Sequence, residues 1–225
     1  MRSIKLVFAA ALVIAVGTRA SAQTVVYDNG GPDYVSGFEM SAFLEADDFI
    51  FGSANTFDQI RFWDAERPTS YDGNGFQWWI FADNGGSPGS ILYSGTAATP
   101  TRQDQGPYNG SVGFELIEND LSISSLTLGS GTYWLGLHNG PDYGHFRDIY
   151  WVTTNPNTTN SSYNSGGGTM NNWQANGYQL AFQLRNTNAV PEPASMTLLA
   201  TGLVGILAAA RRRFGRGLAR PSDRT

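Results

Sequence analysis

The 225-residue chain has no cysteine, only two histidines, and no lysine after Lys5. Without thiols there is no disulfide framework, no thiol nucleophile and no cysteine-held zinc or haem. Charge is scarce too, at 15%, where about a quarter of residues is usual. Set beside 13% aromatic residues, that scarcity excludes long charged helices, coiled coils and charge-driven disorder. No Gly-x-Ser-x-Gly elbow marks a hydrolytic serine, and Gly166-Gly167-Gly168 lacks the lysine of a phosphate loop. The chain also has no EF-hand loop, no repeat of fixed period and no ladder of threonines that a flat ice-binding face would want.

The charge that is present lies unevenly. Arg2, Lys5 and Arg19 precede residue 23, and Arg211, Arg212, Arg213, Arg216, Arg220 and Arg224 follow residue 190. Between them stand five arginines and 17 acids, a formal charge of −12 that the whole chain's −5 conceals. So acidic a centre repels nucleic-acid phosphates, and no nucleic-acid partner is expected.

Both ends read as addresses. In residues 1–22 a positive start is followed by the apolar run Leu6 to Val16, then by Ala20-Ser21-Ala22. That is the pattern of a secretory signal helix, passed by the Sec machinery and cut by signal peptidase after Ala22 to leave Gln23 first. At the other end Val190-Pro191-Glu192-Pro193 precedes Ala194 to Ala210, which carries no charge. Seventeen helical residues span about 25 Å, the short edge of what crosses a bilayer. Arg211, Arg212 and Arg213 follow, and the positive-inside rule keeps such a cluster, with the tail 214–225, in the cytoplasm. The two ends agree that the centre is exported while the precursor stays anchored in the inner membrane.

A Pro-Glu-Pro motif, a short transmembrane helix and an arginine cluster, in that order over 190–213, resemble the PEP-CTERM sorting signal of Gram-negative bacteria. The resemblance implies an exosortase-type membrane protease as processing partner, and delivery to the cell envelope or an extracellular polysaccharide matrix. The plain alternative is a single-pass anchor with a stiff proline spacer.

Residues 23–189 read as one all-β domain. Tyr133, Leu135 and Leu137 alternate with Trp134, Gly136 and His138; Leu180, Phe182 and Leu184 alternate with Ala181, Gln183 and Arg185. Further strands are expected at Thr24–Tyr27, Asp48–Phe51, around Ile60 and Phe62, and at Phe76–Phe81, Ile91–Tyr93, Val112–Ile117 and Ile149–Thr153. Turn clusters such as Asp83-Asn84-Gly85-Gly86 separate them. Asp120 to Leu128 reads as a short helical turn, and Thr154 to Asn172 as a long loop. About nine short strands point to a jelly-roll-like two-sheet sandwich. The series Tyr27-Asp28-Asn29-Gly30, Ala46-Asp47-Asp48-Phe49, Ile60-Arg61-Phe62-Trp63 and Gly131-Thr132-Tyr133-Trp134 is similar to exported sandwich domains that precede such sorting signals. That resemblance implies architecture and address, not an activity.

Several side chains are candidates for chemistry. Asp47 and Asp48, adjacent on a strand, place one carboxylate inward and one outward, with a structural Ca²⁺ or a salt bridge and capping as alternative partners. His138 and His145 flank a loop and, with Asp142 or Asp148, offer either a metal cluster and general base or ordinary polar histidines. Asp64 with Glu66, or Glu115 with Glu118, are the acid pairs a glycosidase would need. Aromatics are the clearest excess. Trp78, Trp79, Trp134 and Trp151 sit where both faces of a strand carry rings, so they either form an exposed sugar-stacking strip or are buried on both sides. The reading is a non-enzymatic exported protein with a structural, adhesive or carbohydrate-contacting role. A carbohydrate-active or metal-dependent hydrolase on the same scaffold is the alternative.

Overall fold

The computed structural model describes residues 23–97, 99–108, 112–155, 163–166 and 170–188, and Leu203 apart from them. The expected signal helix (1–22) and the remainder of the transmembrane helix (194–210) lie outside the described residues, as do the motif 190–193 and the arginines 211–213; Leu203 itself is helical. Among the described residues no helix is long and apolar enough to cross a membrane. Residues Gln23–Asn188 form one compact unit.

That unit is all-β. Its strands are β1 (Thr24–Asp28), β2 (Gly37–Glu39), β3 (Phe43–Phe51), β4 (Asn55–Glu66), β5 (Phe76–Asp83), β6 (Pro88–Ala97) and β7 (Thr101–Pro107). They continue as β8 (Glu115–Leu128), β9 (Gly131–Asn139), β10 (Ile149–Thr154), β11 (Tyr163–Gly166), β12 (Trp173–Ala175), β13 (Gln179–Leu180) and β14 (Phe182–Asn186). Eight pair in one antiparallel sheet, with β4 along β8 on one side and along β14 and β10 on the other. The second sheet runs β12-β11-β3-β9-β5-β6.

Three expectations are corrected. Residues 120–128 extend β8 rather than turning as a helix, because Glu115–Ser122 and Leu126–Leu128 pair with β4 on either side of a bulge. That strand opens at Glu115, not at Val112, whose side chain stands almost wholly in water. Part of the expected loop 154–172 is β11, which pairs with β3 from Tyr163 to Gly166. In the alternating run 180–184, Leu180, Phe182 and Leu184 all reach the inter-sheet core as expected, and Ala181, between β13 and β14, donates its N–H to Val152 O at 2.9 Å.

The two sheets enclose a core rich in rings. Phe62 meets Phe76 of the opposite sheet edge-on at 5.0 Å, and Trp151 meets both Phe62 and Phe182 at about 6 Å in the same manner. Each sheet also covers its outer face. Trp63, Ala65, Tyr108, Leu116, Val152 and Ala181 form a second cluster on the eight-stranded sheet. Leu44, Trp79, Phe81 and Trp134, capped by Tyr143, Met170 and Trp173, form a third on the other. A Cβ on Gly136 would lie 2.7 Å from the Phe81 ring, so that outer cluster needs glycine there.

Two-sided burial explains the acids. Glu45, Asp47, Phe49 and Phe51 share the inward face of β3. Asp47 accepts from Asn29 Nδ2 at 2.9 Å and from Leu180 N–H at 2.6 Å. Burial pushes its carboxyl well above the usual range. Glu45 accepts from Asn176 Nδ2 at 2.8 Å, and burial pushes it up to about 8. At the chain's last described residues Asp58 accepts from Thr187 N–H (2.7 Å), Thr187 Oγ1 (2.9 Å) and Asn188 Nδ2 (2.9 Å).

A carboxyl raised in the fold stabilises it fully below the unfolded value of 4.5, and that stabilisation is lost as pH rises toward about 8. Urea unfolding of the wild type is therefore expected to weaken steadily across that window. Glu45→Gln should flatten the profile and exceed the wild type at the alkaline end by on the order of 1 kcal/mol or more. Identical slopes for the two proteins would refute the assignment.

Candidate functional site

One surface hollow lies where the β5–β6 turn meets the approach to β12. It is a cleft of about 670 Å³, walled by Asp83, Asn84, Ser87 and Ser90 on one side and by Met170, Asn171 and Trp173 on the other. Its volume is that of an ordinary small-molecule site, about 300–1,000 Å³. The turn is rigid for local reasons. Gly85 and Gly86 both take positive φ, as a tight hairpin of right-handed twist requires, and Asn84 N–H closes onto Ser87 O at 2.9 Å. Asp83 sits at the strand end and accepts from the N–H groups of Gly85 and Gly86, and from Trp134 Nε1 at 2.9 Å. On the far wall Trp173 packs edge-on against Phe81 at 5.4 Å, with its Nε1 donating to Met170 O at 3.1 Å. One aromatic wall facing a rim of amide, hydroxyl and carboxylate groups suits a polar ligand with an apolar face.

Another hollow, about 270 Å³, lies on the outer face of the eight-stranded sheet between Val35, Tyr108, Phe114 and Tyr150.

The structure redistributes the residues singled out from the sequence. Trp78, Trp79, Trp134 and Trp151 form no exposed strip; all four are buried. Trp78 and Trp151 belong to the inter-sheet core, and Trp79 and Trp134 to the outer cluster under Tyr143, Met170 and Trp173. Asp47 and Asp48 do point to opposite faces, but neither reaches water, because the outer face of β3 is covered as well. Among the described residues no three His, Asp or Glu side chains come together to hold a metal. Of the two alternatives for Asp47, the structure shows the hydrogen-bonded one: its carboxylate accepts from Asn29 Nδ2 and Leu180 N–H.

His138 and His145 are not brought into one site. His138 is buried beneath Tyr143, ring to ring at 3.9 Å, with Nδ1 on Gly140 O at 2.9 Å, and burial holds it below the usual histidine range. His145 is exposed, and its carbonyl accepts from Ser41 Oγ at 2.9 Å. Asp64 and Glu66 do share a face, yet they turn into the interior. Arg102 binds Glu66 at 2.7 Å and lies 3.8 Å from Asp64, and Asn119 donates to Asp64 at 3.0 Å. Burial pushes both carboxyls up. Neither lines the cleft or the groove. Glu115 and Glu118 diverge: Glu118 faces Arg61 at 2.6 Å, while Glu115 pairs in register with Glu66.

Sequence reading missed Trp173 and the 83–90 turn as a pair. The turn itself was legible in Asp83-Asn84-Gly85-Gly86. Nothing in the spacing places it against a residue 90 positions later.

Compared with known families, residues 189–213 match the PEP-CTERM protein-sorting motif. No curated protein matches the chain. The motif marks an exosortase-sorted extracellular protein made as an exported, membrane-anchored precursor, with an exosortase as processing partner.

Asp83→Ala removes the carboxylate acceptor of Trp134 Nε1 and of two turn N–H groups. It is expected to cost about 1–3 kcal/mol in urea unfolding, whereas Asn84→Ala, exposed beside it, should stay within about 0.5 kcal/mol. Equal effects would show that Asp83 does not hold the cleft's turn.

Proposed function

We propose that the chain is a non-enzymatic matrix protein whose jelly-roll-like sandwich is cut free by an exosortase and contacts extracellular polysaccharide. The observation that carries this reading is the sorting motif at 189–213, directly after the last described residues of a self-contained β domain. Signal-peptidase cleavage before Gln23, by way of the Sec machinery, supplies the export half. Three further features support a contact role. The domain holds together with no disulfide, on a ring-filled core and two outer clusters, so it suits exposure outside the cell. Its acid pair Asp64 and Glu66 is occupied by Arg102, not presented to a cleft. The 670 Å³ cleft offers Trp173 opposite amide and hydroxyl groups, the combination by which a sugar is gripped through its apolar face and its hydroxyl edge.

Intact-mass analysis of protein recovered from its native host tests the address. The expected species begins at Gln23 and ends near Pro191, and deleting the exosortase should leave the C-terminal segment attached and the protein in the inner membrane. An uncut chain in the cytosol would overturn the reading.

A further inference from the structure

We propose that the groove on the outer face of the eight-stranded sheet is a second carbohydrate site, seating one sugar ring without negative charge, so that the domain holds polysaccharide at two places. The second clause rests on the carbohydrate role proposed above for the cleft; the groove stands on its own geometry.

Two pairs of rings stand at the groove. Of these, Phe114 and Tyr150 line the groove and meet at 5.7 Å and 66°, while Tyr108 lines it and is backed by Tyr34, which lies outside the lining beside Val35 and stacks on Tyr108 with centroids 5.7 Å apart and planes 25° apart. Its floor is kept flat by Gly37, where a Cβ would come within 2.9 Å of the Tyr150 Cβ. Both tyrosine hydroxyls at the walls are tethered, Tyr108 to Ser36 O at 2.8 Å and Tyr150 to Asp148 Oδ1 at 3.2 Å, so the rings are fixed before any ligand arrives.

The rim is held open against preference. Tyr34 has φ of +60°, a left-handed conformation that a bulky side chain seldom adopts. The segment around it is locked to β10: Asp33 N–H donates to Thr153 O at 3.0 Å, Thr153 Oγ1 to Asp33 Oδ1 at 2.7 Å, and Thr153 N–H to Ser36 O at 3.0 Å. The result is that Tyr34 and Val35 stand 43% and 70% exposed on a rigid loop. Core packing gives no reason for that placement.

The surroundings select the occupant. Among the described residues no charged side chain lines the groove. The nearest cation, Arg67, lies over the Phe114 ring at 4.4 Å and is paired with Asp148 at 3.0 Å. All five arginines of the domain are in ion pairs. Burial is the main cause that raises the Tyr108 and Tyr150 hydroxyls, and Asp33 beside the first and Glu39 and Asp148 beside the second add to it, so the acids near the groove outnumber its one neighbouring cation. An anionic polymer finds no partner there. The fit is a ring with apolar C–H faces and hydroxyl edges, laid between tyrosines.

The full chain, purified in a zwitterionic detergent, would be titrated calorimetrically with hexasaccharides of glucose, glucosamine and galacturonate. Glucose or glucosamine chains should bind and galacturonate should not. Tyr34→Ala and Tyr150→Ala should each weaken binding at least tenfold at the groove, and Trp173→Ala should weaken a separate event. Tyr34 is solvent-exposed, so its variant stays informative if Tyr150→Ala melts early. Light scattering with long β-glucan should show cross-linking by the wild type and loss of it in either single-site variant. Binding lost only through Trp173→Ala sinks the groove and leaves the cleft; binding lost only through the tyrosines does the reverse. No binding of any neutral or amino hexasaccharide at millimolar concentration, preferential binding of galacturonate, or a change of oligomeric state in place of sugar binding overturns the groove proposal.

Discussion

The constraint on which the rest depends is that each sheet carries an apolar cluster on part of its outer face as well as on its inner one. A two-sheet sandwich normally buries one face per sheet and leaves the other to water. Here the inter-sheet core is joined by a satellite cluster around Trp63 and Tyr108 on one outer face and around Trp134 and Phe81 on the other. Strands such as Phe76–Asp83 are consequently apolar on both sides, and the surplus of aromatic residues is structural before it is functional. The turn at 83–90 and the groove beside Gly37 are places where the second layer stops short and leaves a hollow.

The same covering governs the charges. Carboxylates that an ordinary sandwich would display are trapped, some with neutral amides, as Glu45 with Asn176 and Asp47 with Asn29, others with the few arginines the domain has. Every arginine is spent on a neighbouring acid. The domain therefore meets its surroundings as an anion.

Local features were legible in the sequence, and distant ones were not. The sorting motif and its arginines are contiguous, and the hairpin turn at Asp83 announces itself by its glycines. Strands Thr24–Asp28, Phe76–Asp83 and Gly131–Asn139 follow from composition and alternation. Asp120 to Leu128 misled because its serines and acids carry little apolar pattern; its strand is imposed by β4 alongside. The tryptophans misled because alternation assigns a residue to a face without saying whether that face is roofed. The roof comes from Tyr143, Met170 and Trp173, far along the chain. Tyr34 and Tyr108 could not be joined from sequence for the same reason.

Asp58, which grips Thr187 and Asn188, has a mechanical consequence. Strand β14 lies between β1 and β4, antiparallel to both. Tension entering from the C-terminal side thus reaches the carboxylate staple first and then loads two hydrogen-bonded ladders in shear, all rungs together. A protein held at that end while its faces are tugged would resist peeling strand by strand, and would behave as a firm tether rather than one that unzips.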